Sequence, residues 1–66
     1  MKYEINTLVS TLVDNQDAKK GSIGAIIGQK EENGKTIYLV ELFTVKNHAH
    51  LQLFYNENQL YKIDNA

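Results

Sequence analysis

The apolar positions cluster most densely in Lys35-Thr-Ile-Tyr-Leu-Val-Glu-Leu-Phe-Thr-Val45, the longest strand-favouring run of the chain. Successive strand side chains point to opposite faces. If Tyr38, Val40 and Leu42 face a core, Ile37, Leu39, Glu41 and Phe43 face outward. An antiparallel sheet with one face in water should be polar there. This strand carries apolar residues on both sides.

Residues 3–13 fit two periods. Ile5, Leu8, Val9, Leu12 and Val13 match the spacing of an amphipathic helix. Alternation instead gathers Ile5, Thr7, Val9, Thr11 and Val13 on one face, all β-branched, with Leu8, Ser10 and Leu12 opposite. β-Branched side chains lose χ1 freedom in helices and pack well on a pleated surface. The strand reading is preferred. The alternative is an α+β fold with an N-terminal helix over 5–19 on a three- to four-stranded antiparallel sheet.

Asp14 to Gly21 is polar apart from Ala18 and reads as a loop. Ser22 to Gln29 reads as a second strand, with Ile23, Ala25 and Ile27 on one side and Gly24, Ile26 and Gly28 on the other. Two glycines on one face suggest a strand that bends around a small barrel. Asn33-Gly34 between two apolar runs is the clearest turn signal, because both residues tolerate the positive φ of a type I′ hairpin. It pairs strand 22–30 with strand 35–45. A polar turn over 46–50, a fourth strand from His50 to Tyr55, a single tight turn over Asn56–Gln59 and a last strand Leu60–Ile63 complete the pattern, with Asp64 to Ala66 expected to fray. The expected fold is all-β, a five-stranded antiparallel barrel, forming one domain over residues 1–66.

The segments Leu12-Val-Asp14, Lys20-Gly-Ser-Ile-Gly-Ala-Ile-Ile27, Tyr38-Leu-Val-Glu-Leu42 and Asn58-Gln-Leu-Tyr-Lys-Ile63 together resemble the SH3-like small barrels. The glycine before an isoleucine pair is similar to the KOW-type strand, and the whole resembles certain small bacterial SH3-like domains. The resemblance implies the barrel fold. It also implies a possible use as an RNA-binding domain, since KOW and SH3-like barrels include RNA binders.

Composition narrows the functions. At 66 residues the chain has room for one core, and such domains are marginal alone unless stapled or partnered. It has no cysteine, which excludes disulfides and thiolate metal sites. All its positive side chains are lysine and the net charge is −1. Arginine, the preferred residue for planar recognition of phosphates and bases, is absent. No signal-type or membrane-spanning apolar run is present, so a cytoplasmic protein is expected, and the lysine, asparagine and isoleucine bias fits a bacterial or phage genome.

The candidate interface is the outer face of the central strand, Ile37, Leu39 and Phe43, with His50 and Phe54 on the adjoining strand. A face of this kind covers on the order of 300 Å². Burying that area contributes roughly 7 kcal/mol, against an association cost of about 4–15 kcal/mol. The expectation is a non-enzymatic protein-binding module, either a homodimer or an accessory or inhibitor protein docking through this face.

The nucleic-acid alternative would use Lys19, Lys20, Lys30, Lys35 and Lys46 as phosphate contacts, with Tyr38, Phe54, Tyr55 or Tyr61 as stacking platforms. Glu31 and Glu32 oppose it. His48 and His50 could ligate a metal together, but no further ligands stand at motif spacing, so no metal or other cofactor is expected. No serine stands in a nucleophile-elbow setting. A domain this small should also lack walls for a ligand cavity of a few hundred Å³.

Overall fold

Five strands follow from these patterns in the computed structural model, which describes residues 3–45 and 50–63. They are β1 (Leu8–Thr11), β2 (Ile23–Glu32), β3 (Lys35–Leu42), β4 (Leu51–Asn56) and β5 (Leu60–Lys62). A 3-10 turn, Glu57–Gln59, joins the last two. All pairings are antiparallel, and one sheet runs in the order β4-β3-β2-β1-β5. The all-β reading holds.

The helical alternative over 5–19 does not. Leu8–Thr11 pairs with both β2 and β5. Val9 and Thr11 are fully buried, while Leu8 and Ser10 are partly exposed, as alternation requires. The strand is shorter than its sequence pattern, because Asn6 takes a positive φ of 75° and turns the chain before Leu8.

The β2–β3 hairpin is the type I′ turn that Asn33-Gly34 predicts, with φ of 53° and 77° and Glu32 opposite Lys35. Farther along, the register shifts between Ile26 and Gly28, leaving Ile27 as the extra residue of a bulge. The shift corrects the expected glycine face. Gly24, opposite Leu42, lies on the core side, whereas Gly28, opposite Leu39, lies on the outer side. Only Gly24 answers to the close-crossing role. A Cβ there would collide with the carbonyl oxygen of Glu41 and sit 2.9 Å from the Cα of Leu42.

Tyr38, Val40 and Leu42 of β3 are all fully buried, at the centre of the core. Around them lie Val9, Ile26, Leu53, Tyr55 and Leu60. Leu60 belongs to one edge strand of the sheet, and Leu53 and Tyr55 to the other. A flat sheet would hold its edges about 19 Å apart at ordinary strand spacing. Their shared core therefore requires the sheet to roll up.

Two devices hold that curl. Tyr3 donates its backbone N–H to the hydroxyl of Tyr38 at 2.9 Å and its own hydroxyl to the carbonyl of Leu60 at 3.2 Å. It thereby ties the N-terminal segment to β3 and β5. The 14–21 connection reaches the other edge. Asn15 and Ala18 exchange backbone hydrogen bonds, Ala18 enters the core, and the Asn15 amide donates to the carbonyl of Phe54. What reads as a simple polar loop is a folded strap.

Candidate interaction face

Strand pairing turns the outer face into rows. Ile37 stands between Lys30 of β2 and Asn56 of β4. The next row is Gly28, Leu39 and Phe54, and the one after it Ala25, Glu41 and Gln52. Ile37, Leu39 and Phe54 are thus brought together, with Phe54 about half exposed. The Lys30 ammonium lies 4.4 Å from the centre of the Phe54 ring. Such a cation stabilises the ring face by about 0.5–1 kcal/mol at an exposed site. Because Lys30 and Phe54 flank β3 on opposite sides, their side chains meet over the Ile37 and Leu39 between them, and the positive charge lies over the patch.

Phe43 and His50 fall elsewhere. β3 ends at Leu42, short of the expected Val45, and Phe43 follows in a bend. Glu41 interrupts the apolar series between Leu39 and Phe43, and the His50 imidazole sits 3.4 Å from its carboxylate. His50 is an exposed turn residue with φ of 64°, not the first residue of the fourth strand. Its proposed companion His48 lies outside the described residues, as do the expected frayed end and most of the 46–50 turn. Among the described residues, no group of three or more histidine or acidic side chains could hold a metal ion.

Phe43 joins a second apolar stripe. Its N–H donates to the carbonyl of Ile23 at 2.8 Å, Ile23 pairs with Ser10, and Ser10 pairs with Tyr61. Phe43, Ile23 and Tyr61 are all exposed, with only the small Ser10 between the last two. Sequence reasoning placed Ile23 on a face without saying which. The signal available was Gly24: once it faces the core at a close crossing, its neighbour Ile23 must face out.

Of the stacking residues offered for nucleic acid, Tyr38 and Tyr55 are buried, whereas Phe54 and Tyr61 are exposed. Tyr55 is 1% exposed and cannot offer a ring face to a base. Burial pushes its phenol above the ordinary value, and the neighbouring Asn15 amide offsets part of that rise. The lysines do not share one element. Lys19 and Lys20 lie on the strap, Lys30 on β2 near Phe54 and 3.8 Å from Glu32, and Lys35 beside the hairpin turn, while Lys46 lies outside the described residues. Tyr3 and Tyr55 are core residues and Tyr61 is exposed, so these three tyrosines line no common groove.

An open cleft of about 640 Å³ corrects the expectation that so small a domain lacks ligand-sized walls. Its floor is Tyr3 and Leu60, and its sides are Gly34–Thr36 and Asn56–Asn58. The Tyr3 hydroxyl, already donating to Leu60, is held above its usual pKa, first by burial and then by Glu57 and Tyr38. Hydrogen bonding within the protein thus occupies the N–H and the hydroxyl of Tyr3 on the floor.

Against known proteins, the chain matches no protein-family model, no curated protein and no solved structure. Among the described residues, no helix is long and apolar enough to cross a membrane.

Proposed function

We propose that this chain is a non-enzymatic, cytoplasmic protein-docking module of SH3-like barrel type, which engages a protein through the outer face of β3 and β4. One observation carries the reading. β3 is apolar on both sides: Tyr38, Val40 and Leu42 fill the core, while Ile37 and Leu39 meet Phe54 outside. Water-facing sheet surfaces are otherwise polar, and an apolar cluster on an antiparallel sheet is where a partner gains most from desolvation. The five-strand order and the turn before β5 support the SH3-like resemblance.

A photoreactive phenylalanine at position 54, introduced in the native cells, tests the face. It is expected to yield a protein adduct that Leu39→Glu suppresses, while the same group at Lys19 on the strap yields none. Adducts from position 19 alone, or a position-54 adduct indifferent to Leu39→Glu, would overturn the reading.

A further inference from the structure

We infer that the partner seated on this face is a second copy of the same chain, related by a two-fold axis that crosses the strands at Leu39. The inference rests on the docking reading above and adds the identity of the occupant.

Charge placement around the apolar row carries it. Lys30 lies in the Ile37 row on β2, and Glu41 lies on β3 two same-face steps away, with Leu39 midway. At ordinary strand dimensions those steps total about 13 Å along the strand, and β2 lies about 5 Å to the side. A face-to-face dimer needs its axis in the contact plane. An axis running along β3 would set Glu41 of one copy over Glu41 of the other. Like charges so placed are costly.

An axis running across the strands inverts the order of the rows. Lys30 of each copy then stands over Ala25 of the other, one strand spacing from Glu41, which its side chain reaches by leaving Phe54 and Glu32, while His50 stays beside Glu41. The contact repeats twice by symmetry. In the same arrangement the Gly28, Leu39 and Phe54 row stacks on its own counterpart. Gly28 contributes no side chain there, and even an added Cβ would meet only the Cβ of Leu39, at 3.9 Å, which leaves a notch beside Leu39. A net charge of −1 adds little repulsion between copies.

The face is small, well below the roughly 800 Å² per partner of a standard stable interface. The self-association is therefore weak and reversible, and its specificity comes from the charge pairs. Like-charge reversal is expected to weaken it at least about tenfold.

Sedimentation and small-angle scattering up to about 1 mM protein test it with Lys30→Glu, Glu41→Lys and their equimolar mixture. The wild type is expected to approach dimer mass, and each reversal alone to remain monomeric. The mixture should associate again, because both of its inter-chain contacts become Glu–Lys pairs. Rescue in the mixture also shows that each variant is folded.

Reversals that leave association unchanged, or a mixture that stays monomeric, would overturn the pairing. A wild type monomeric at the highest concentration would overturn the self-partner. In that case position-54 adducts with a different protein would leave the docking face standing. Absence of those adducts would remove the face as well.

Discussion

Gly24 and Gly28 are both strand glycines, yet their surroundings differ. At Gly24 a methyl group meets the backbone of Glu41 and Leu42, which cannot swing aside as a flexible side chain would. Gly24→Ala is expected to destabilise by about 3 kcal/mol or more. Gly28→Ala, with only a 3.9 Å contact to Leu39, is expected to stay within about 0.5 kcal/mol of wild type. Denaturant titration of the two variants checks the contrast. Tyr3 and Tyr55 form a second pair. Tyr3→Phe removes a hydrogen bond to Leu60 and should cost about 1 kcal/mol at neutral pH. The enclosed Tyr55 hydroxyl makes no well-formed hydrogen bond among the described residues, so Tyr55→Phe should change stability little. Both phenols are raised in the folded state, chiefly by burial. The folded chain therefore holds more protons than the unfolded chain above pH about 10. Stability is fully present below that value and falls as pH rises through the folded pKa values. Either phenylalanine variant should flatten this alkaline decline, measured by melting between neutral and strongly alkaline pH.

At the scale of elements, the strap over 14–21 depends on Thr11. Its hydroxyl donates to the carbonyl of Lys19 at 3.2 Å and accepts the N–H of Ser22 at 3.1 Å, in a side chain only 1% exposed. Its backbone binds Ser22 and Gly21 as well. Thr11→Val keeps the shape and the β-branching but removes both hydroxyl contacts; the Lys19 carbonyl still accepts the Ser22 N–H at 3.1 Å and the Ser22 hydroxyl at 2.6 Å, so the loss should be about 1 kcal/mol. Faster hydrogen exchange across 15–22 than across β3 would show that the loss is local. None of this was legible in Asp14 to Gly21, where one alanine among polar residues gives no periodic signal. The hairpin was legible, because Asn33-Gly34 encodes its geometry within two residues. The two β3 faces were legible as sets, since successive strand residues point to opposite sides, but with apolar residues in both sets it is the burial of Tyr38, Val40 and Leu42 that assigns the inward one. The bulge at Ile27 was not legible. A one-residue slip exchanges the faces of everything beyond it, and although the strand glycine Gly28 is a general bulge signal, nothing in the sequence singles out Ile27 as the extra residue. For that reason Gly28 was assigned to the wrong side. Ile37, Leu39 and Phe54 share one side because β3 and β4 pair without a slip, while Phe43 lies beyond the end of β3.

The molecule as a whole depends on keeping a rolled sheet closed with few residues. Its radius of gyration of 11.0 Å matches the value of about 11 Å expected for a compact chain of this length. Total stability for such a chain is of order 3–10 kcal/mol. Tyr3 bears an unusual share of the closure for a residue so near the start. Its ring meets that of Tyr38 edge-on at 5.2 Å and 71°, and its polar groups reach β3 and β5. Deleting that side chain removes a buried aromatic, the Leu60 hydrogen bond and one wall of the core together. A large-to-small change at a buried aromatic costs about 3–5 kcal/mol, comparable to the whole stability. Tyr3→Ala is therefore expected to leave much of the population unfolded at 25 °C, seen as lost amide dispersion in NMR and an enlarged scattering radius. Tyr61→Ala, on an exposed ring of the same chemistry, should leave both unchanged. If Tyr3→Ala instead stayed folded with a normal melt, the curl would have to be held by the core residues of the edge strands without the N-terminal tie. Leu60→Ala would then become the more damaging change.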